Sequence, residues 1–453
     1  MGGSFRDPSG FVFARGGVIY RQVNKCYRPH YDQLMRSGLA QDLMDRGWLV
    51  RHEELAVDPV GGAAYKVLRP ELIRFISYPY EWSFSQLRDA ALLTLRIQQQ
   101  ALKLGMSLKD ASAYNVQFLR GRPILIDTLS FEPSVEGRPW VAYRQFCQHF
   151  LAPLALMCYC DVRLGQLLRS LLDGVPLDLA SKLLPARTRL KPTLAMHVHL
   201  HARAQKRHGG QTPAVSGRTL SRSALVGILD SLATAIQHLR WRPAGTEWIG
   251  YYDDTNYSET AMAEKERLVD QMMLRLAPTT VWDLGANVGR FSRLASAKRV
   301  DTIAFDVDAA AVETNYLRSV ADGDQHLLPL VMDLTNPSAS VGWAGCERRS
   351  LQERGPADLV LALALIHHLA IGNNVPLPRI ADWLDQIARN VVIEFVPKTD
   401  SQVRRMLASR GDIFDGYSQQ AFEAAFERRF SVEAMTQIPG TDRVLYQLRR
   451  RRP

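Results

Sequence analysis

The chain has 453 residues, 46% of them hydrophobic and 23% charged, a balance that suits a globular protein of two or three domains and excludes a disordered or fibrous one. Its 56 basic and 46 acidic side chains leave a net charge of +10, scattered except at residues 203–207 and 449–452, where no aromatic residues interleave with the charge to suggest a nucleic-acid surface. Five cysteines without repeated spacing argue against a disulfide framework, no apolar run reaches the ~18 residues of a membrane span, and no secretory leader is evident, so a cytoplasmic protein is expected.

In chain order, Gly10 to Val23 reads as a β-hairpin, two alternating runs around Arg15-Gly16-Gly17. Residues 31–46 read as an amphipathic helix, residues 72–78 as a strand, and residues 83–103 as a helix with apolar side chains at helical spacing. Cys158 and Cys160 lack a second pair and do not suggest zinc. On a helix, His197 and His201 would share a face with His199 between them; a polar face and a metal site are the alternatives, and no acid or cysteine lies nearby to complete a ligand set.

Residues 107–127 carry a second pattern. Asp110 is followed five residues later by Asn115, then an apolar strand, a turn at Arg120-Gly121, and a second apolar strand ending in Asp127. An Asp and an Asn that merely stabilise a turn would explain this much. The pattern also resembles the catalytic loop and metal-binding Asp of protein-kinase-like folds and aminoglycoside phosphotransferases. That resemblance implies Asp110 at the acceptor hydroxyl, Asn115 and Asp127 on magnesium, and residues 140–184 as the rest of a C-lobe. It departs from those families in Lys109 before the Asp, in Thr128-Leu129 after Asp127, and in having only Lys25 and Lys66 as candidate phosphate lysines. A degenerate kinase-like domain that binds an acceptor is therefore expected over an active one.

Residues 192–223 read as the boundary, with His208-Gly209-Gly210-Gln211-Thr212-Pro213 as its breaker-rich centre. The expected organisation is an accessory α+β domain over residues 1–191, a linker and connecting helix over 192–240, and an α/β domain over 241–453.

The most informative stretch follows. Thr280-Val281-Trp282 is a short apolar strand running into Asp283-Leu284-Gly285-Ala286-Asn287-Val288-Gly289. The glycines allow a tight turn and let a ligand lie against bare backbone, and residues 290–297 continue at helical spacing. A second strand ends in Asp306, whose carboxylate can accept from two ribose hydroxyls. A dinucleotide site would have G-x-G-x-x-G; here an acid precedes the first glycine, which would repel a pyrophosphate and suits a cationic amino group. Further strands read at 328–334, 390–397 and 444–448, and residues 357–369 read as a strand running into a helix, so that strands alternate with helices in a doubly wound, Rossmann-like sheet.

These residues resemble motifs I and II of class I S-adenosylmethionine-dependent methyltransferases. The span from Trp248 onward is similar to a bacterial branch of them, some of whose members carry nodulation-protein labels; its landmarks are Asp283 to Gly289, Leu363-Ala364-Leu365-Ile366-His367-His368 and Ile393-Glu394-Phe395-Val396-Pro397-Lys398. The resemblance implies S-adenosyl-L-methionine held by Asp283, Gly285, Ala286, Asn287 and Gly289, by Asp306 and Val307, by Asp333 and Leu334 at the adenine, and by Leu363 and Tyr257. Asp253, Asn256 and Tyr257, in an aromatic stretch before the first strand, would form a lid or line the acceptor side.

Methyl transfer is an in-line displacement with a good leaving group, so the protein mainly positions the acceptor, and a base helps if that acceptor is a hydroxyl or an ammonium. His367, then Glu394, are the candidate bases, with His368 beside them. No Asn-Pro-Pro-Tyr follows the fourth strand and no Pro-Cys pair points to cytosine, so the expected acceptor is a small molecule or a carbohydrate-like hydroxyl or amine. Two alternatives remain: a bifunctional phosphotransferase-methyltransferase, which would also need Mg-ATP, and a non-catalytic S-adenosylmethionine-binding module.

Overall fold

The structure is a computed structural model that describes residues 3–56, 60–203, 220–243 and 257–451. The chain divides into two compact units, Met1–Arg242 with Val341–Arg348, and Pro243–Ser340 with Arg349–Pro453. Among the described residues, no helix is long and apolar enough to cross a membrane.

The first unit opens with β1 (Gly10–Arg15) and β2 (Val18–Asn24), antiparallel and joined through Gly16 and Gly17. Both glycines have positive φ, 57° and 79°, the conformation a tight two-residue hairpin turn requires. With β3 (His52–Leu55) and β4 (Ala64–Pro70) they form an antiparallel sheet in the order β1-β2-β4-β3. The helix expected over 31–46 is two helices, Arg28–Arg36 and Leu39–Asp45, because Gly38 at φ 75° breaks the run. The strand expected over 72–78 is not regular structure; the strand lies earlier, at β4.

The helix Phe84–Lys103 is capped by Ser83, whose side chain accepts from the Gln86 amide while the Gln86 side chain accepts from the Ser83 amide. Two small antiparallel pairs follow: β5 (Met106–Leu108) with β8 (Phe131–Pro133), and β6 (Val116–Leu119) with β7 (Arg122–Leu125). Short helical pieces cover 143–200, and the helix Arg222–His238, expected as a connecting helix, packs on Phe84–Lys103 with Gln99 donating to Asp230 at 2.8 Å.

The second unit is built on β9 (Thr280–Leu284), β10 (Asp301–Asp306), β11 (Leu327–Val331), β12 (Ala357–Ala362), β13 (Ala388–Phe395), β14 (Phe430–Gln437) and β15 (Val444–Arg450). Their order is β11-β10-β9-β12-β13-β15-β14. The strands from β9 to β13 are parallel to their neighbours, while β15 runs antiparallel to both β13 and β14. The first five strands thus follow the doubly wound order, and the direction of winding reverses between β9 and β12. Right-handed crossovers then put helices on both faces. Buried apolar side chains of β9, β12 and β13 (Val281, Leu359, Leu361, Val392) pack with Val269, Met272 and Met273 of the helix Glu259–Leu276 to make the core.

β14 has no counterpart in the sequence reading. Its exposure alternates but includes Val432 and Met435 on the solvent side, and a bulge interrupts it between Val432 and Ala434, so the apolar pattern is blurred.

Candidate functional site

At the reversal point the carboxyl ends of β9, β10 and β12 diverge and leave a crevice, where open α/β sheets bind ligands. A cavity of about 340 Å³ lies there. Of the residues expected at a cofactor, Tyr257, Asp283, Gly285, Ala286, Asn287, Asp306, Val307, Asp333, Leu334 and Leu363 line it.

The turn after β9 is held by backbone: the amides of Gly285 and Ala286 both donate to the Phe305 carbonyl at 2.9 Å. Gly285 has φ 73° and Asn287 φ 49°, so the chain passes twice through the left-handed region in three residues. The helix that follows is only Ser292–Ser296. Asp283 is buried and accepts from the Ser292 hydroxyl at 2.6 Å. Asp306 accepts from the Asn287 amide at 2.7 Å and the Asp308 amide at 2.9 Å, one on each oxygen, and from the Val307 amide as well. Desolvation raises both carboxyl pKa values to about 6, and for Asp283 the charge of Asp306 adds to it. Asp333 lies just beyond β11, with one oxygen engaged by the Thr335 amide and hydroxyl. Val307 is 60% exposed on the cavity wall, an apolar surface open to a flat ring.

Three expected residues do not line the cavity. Gly289 (φ 82°) faces away from it: a Cβ there would stand 2.5 Å from the Asn315 side chain and 2.7 Å from that of Arg293, so packing behind the turn demands the glycine. His367 is buried behind the wall, with its pKa far below the usual range because of desolvation and the neighbouring His368, and its Nδ1 has no hydrogen-bond partner among the described residues. Glu394 is also fully buried and has no room to act as a base. Its Oε1 accepts from Tyr257 and from Arg443 at 3.2 Å, and its Oε2 from Lys265 at 2.5 Å and the Ala364 amide at 2.9 Å. Desolvation works to raise its pKa, but Lys265 and Arg443 outweigh it and hold the carboxyl at about 2.

Lys265 and His368 line the cavity in their place. Lys265 sits 4.8 Å from the Tyr257 ring centre and 4.9 Å from that of Phe291; burial pulls its pKa down and Glu394 opposes it. Arg443, which also pairs with Asp400 at 2.8 Å, braces Glu394 from behind. No local motif announces Lys265 or Arg443, which lie 129 and 49 residues from Glu394 in the chain. His368 packs against His367 with ring centres 4.2 Å apart and the rings tilted by 42°, and desolvation followed by Arg443 lowers its pKa to about 4, so its imidazole is neutral at neutral pH. Asp253 and Asn256 lie outside the described residues.

In the first unit, Asp110 and Asn115 are hydrogen-bonded, and Asn115 donates to Ser130 at 3.4 Å while Ser130 donates to Asp127. The three side chains therefore converge. The two carboxylates are engaged by protein groups: Asp127 pairs with Arg21, and Asp110 accepts from Gln145 at 2.8 Å and the Ser112 amide at 3.0 Å. Lys66 pairs with Glu54 instead, and Lys25 donates to the Gly62 carbonyl at 3.0 Å. Arg21, on β2, was not singled out in the sequence. His197 is held by Tyr143 and Ser231, and His199 by Ser181 and Thr188, so each uses both ring nitrogens on hydroxyls. Among the described residues no cluster of three His, Cys, Asp or Glu could hold a metal.

The nodulation protein NoeA of Rhizobium meliloti (strain 1021) is 38% identical to this chain over 461 residues, an alignment covering 99% of this chain and 96% of that protein. The chain belongs to the NoeA family. No protein-family model matches it. Solved structures similar to this NoeA-family chain include WbdD (14% identity, 42% of this chain and 40% of that one, TM-score 0.30), the N-methyltransferase NodS from Bradyrhizobium japonicum WM9 (11%, 43% and 99%, 0.32), and the magnesium protoporphyrin IX methyltransferase ChlM from Synechocystis PCC 6803 (19%, 45% and 91%, 0.32). At these scores the likeness bears on neither fold nor activity. The chain spans about two fifths of WbdD.

Proposed function

We propose that the second unit transfers a methyl group from S-adenosyl-L-methionine, and that the first unit selects or presents the acceptor. One observation carries the reading: Asp283 and Asp306, at the ends of adjacent parallel strands, line one cavity across the Gly285 turn. One acid suits the ammonium of the methionine portion and the other the two ribose hydroxyls. A pyrophosphate would meet Asp283 unfavourably, which argues against a dinucleotide. Val307 and Leu334 would flank the adenine, and Asp333 would face its amino group. When bound, this cofactor supplies an electrophilic methyl on a sulfonium. The chain's own contribution is to hold both partners in line and exclude water.

His368 replaces His367 and Glu394 as the side chain suited to take a proton from the acceptor, because it lines the cavity and is neutral. A small molecule or carbohydrate hydroxyl or amine remains the acceptor class, and the relative's name makes nodulation the setting in which to seek it. The phosphotransferase alternative, with its Mg-ATP, is not carried forward, since Arg21 and Ser130 occupy Asp127.

Calorimetry on Asp306→Ala tests the proposal. Loss of two charge-assisted hydrogen bonds should weaken S-adenosylmethionine binding about ten-fold or more, and unchanged affinity would refute the site. Mass spectrometry of metabolite extracts incubated with isotopically labelled S-adenosylmethionine would then name the acceptor.

A further inference from the structure

Over a longer window than a few residues, the positive charge of the chain is concentrated. Residues 179–229 hold nine lysines and arginines and no aspartate or glutamate, so this stretch accounts for nine of the ten net positive charges. Its first half, as far as residue 203, belongs to a helical corner of the first unit: the helix Leu177–Leu183, the turn Ala186–Leu190, and Pro192–Leu194 continued by Ala195–Leu200. His199 ties these pieces together, one ring nitrogen on the Ser181 hydroxyl at 2.8 Å and the other on the Thr188 hydroxyl at 2.9 Å. Desolvation first, then the charges of Arg189 and Arg203, lower the pKa of that ring, so both guanidinium groups lie around it.

The outward side of this corner carries free charge and free hydrocarbon together. Leu190 is 86% exposed, and Met196 and Leu200 are about half exposed while residues 197–199 between them are buried. Interleaved with them are Arg187, Arg189, Lys191 and Arg203, all exposed, and none of the four has a carboxylate partner among the described residues. An anionic bilayer matches both properties, with phosphates at the surface and hydrocarbon about 5–10 Å below it. Nucleic acid matches only the charge, because bases are met by aromatic rings or hydrogen-bonding side chains and not by leucine and methionine.

We propose that this corner of the first unit docks on an anionic phospholipid membrane, with Leu190, Met196 and Leu200 entering the boundary between headgroups and acyl chains and the four unpaired cations lying at the phosphates. The inference uses no residue of the cavity and stands apart from the methyltransferase reading. Each cation at such a surface is worth about five-fold in binding.

The test is co-sedimentation of the full chain with vesicles of phosphatidylcholine alone or with about 30 mol% phosphatidylserine. The anionic vesicles should bind at least about ten-fold more tightly, and high salt should shrink the difference. Arg187→Ala combined with Arg189→Ala should weaken binding to them about ten-fold or more. Arg449→Ala combined with Arg451→Ala, in the basic run of the second unit, should change it less than about two-fold. Leu190→Ser should weaken it about ten-fold at unchanged charge. The substituted positions are exposed, and circular dichroism checks that each variant folds; should the double variants not fold, the two vesicle types and Leu190→Ser decide. Equal binding to both vesicle types, an equal loss in the two double variants, or full binding by Leu190→Ser overturns the inference. So does tighter binding to a duplex DNA fragment than to the anionic vesicles, which would assign the corner to nucleic acid.

Discussion

Two kinds of buried carboxylate meet in the second unit, and pH separates them. Asp283 and Asp306 have folded-state pKa values of about 6, above the ordinary aspartate range, because burial disfavours their charge. Between roughly pH 4 and 6 the ligand-free folded chain therefore holds more protons than the unfolded chain, so these two residues make it more stable as pH falls through 6. A cationic ligand needs both ionised, so its affinity should move the other way, falling about a hundred-fold between pH 7 and 5, about ten-fold for each carboxyl. Thermal midpoints without ligand and calorimetry with it check the two trends; parallel trends would contradict the arrangement. Glu394 is the reverse case, held at about 2, and its contribution persists until pH falls below the ordinary glutamate range and is lost as pH falls through about 2. Glu394→Gln leaves the buried Lys265 without its countercharge and Arg443 with Asp400 alone, and should cost about 3–5 kcal/mol, read as a lower thermal midpoint. Such hubs are poorly legible in a sequence. Asp283 and Asp306 stand out because each ends an apolar run, whereas Lys265 lies inside an ordinary amphipathic helix, and only the fold brings it to Glu394.

At the scale of elements, the parallel strands were readable and the interruptions were less so. β9, β10, β12 and β13 each carry a run of buried apolar residues, Val281-Trp282, Ile303-Ala304-Phe305, Leu359 to Ala362 and Val391-Val392-Ile393, so each announces itself. β14 is half solvent-exposed and bulged, and carries no such signal. The break at Gly38 was visible as a residue but not as a conformation, since a glycine within a helical pattern is often tolerated. The candidate site divides in the same way: the Gly285 turn follows from local spacing, whereas the choice of His368 over His367 depends on how the turn after β12 rotates successive side chains, which spacing does not fix. Gly289 gives a direct test of why one glycine is where it is. Gly323, also at positive φ (67°), has open space around its Cα, so Gly323→Ala should cost only backbone strain of about 1–2 kcal/mol. Gly289→Ala adds overlap with Asn315 and Arg293 and should cost about 1–3 kcal/mol more. Equal denaturation midpoints for the two variants would mean that the turn relaxes freely.

For the molecule as a whole, every described residue lining the cavity falls between Tyr257 and Asn373, within the second unit. The boundary proposed from sequence therefore leads to a concrete expectation. A fragment spanning 241–453 should bind S-adenosylmethionine with an affinity within about three-fold of the full chain, as a domain with its own core would. Calorimetry on the purified fragment decides; a folded fragment without binding would mean that the first half is needed for cofactor as well as acceptor. Limited proteolysis is the companion measurement, with the first cut expected in residues 209–216, a stretch outside the described residues whose glycines and small polar side chains disfavour regular structure.

The place of β15 has a consequence for how this sheet is made. It is made after the six other described strands of this sheet, yet it lies between β13 and β14 and hydrogen-bonds to both. While the ribosome is still reading the codons before Val444, β14 has no partner and β13 lacks one of its two. The parallel strands can assemble as they emerge, but the far side of the sheet must wait, and Arg443, which braces Glu394, arrives only with that final hairpin. The Glu394 hub and the sheet edge are thus completed in the same late event, so a nascent chain stalled before it would expose strand edges that chaperones recognise and would lack the brace behind the cavity wall.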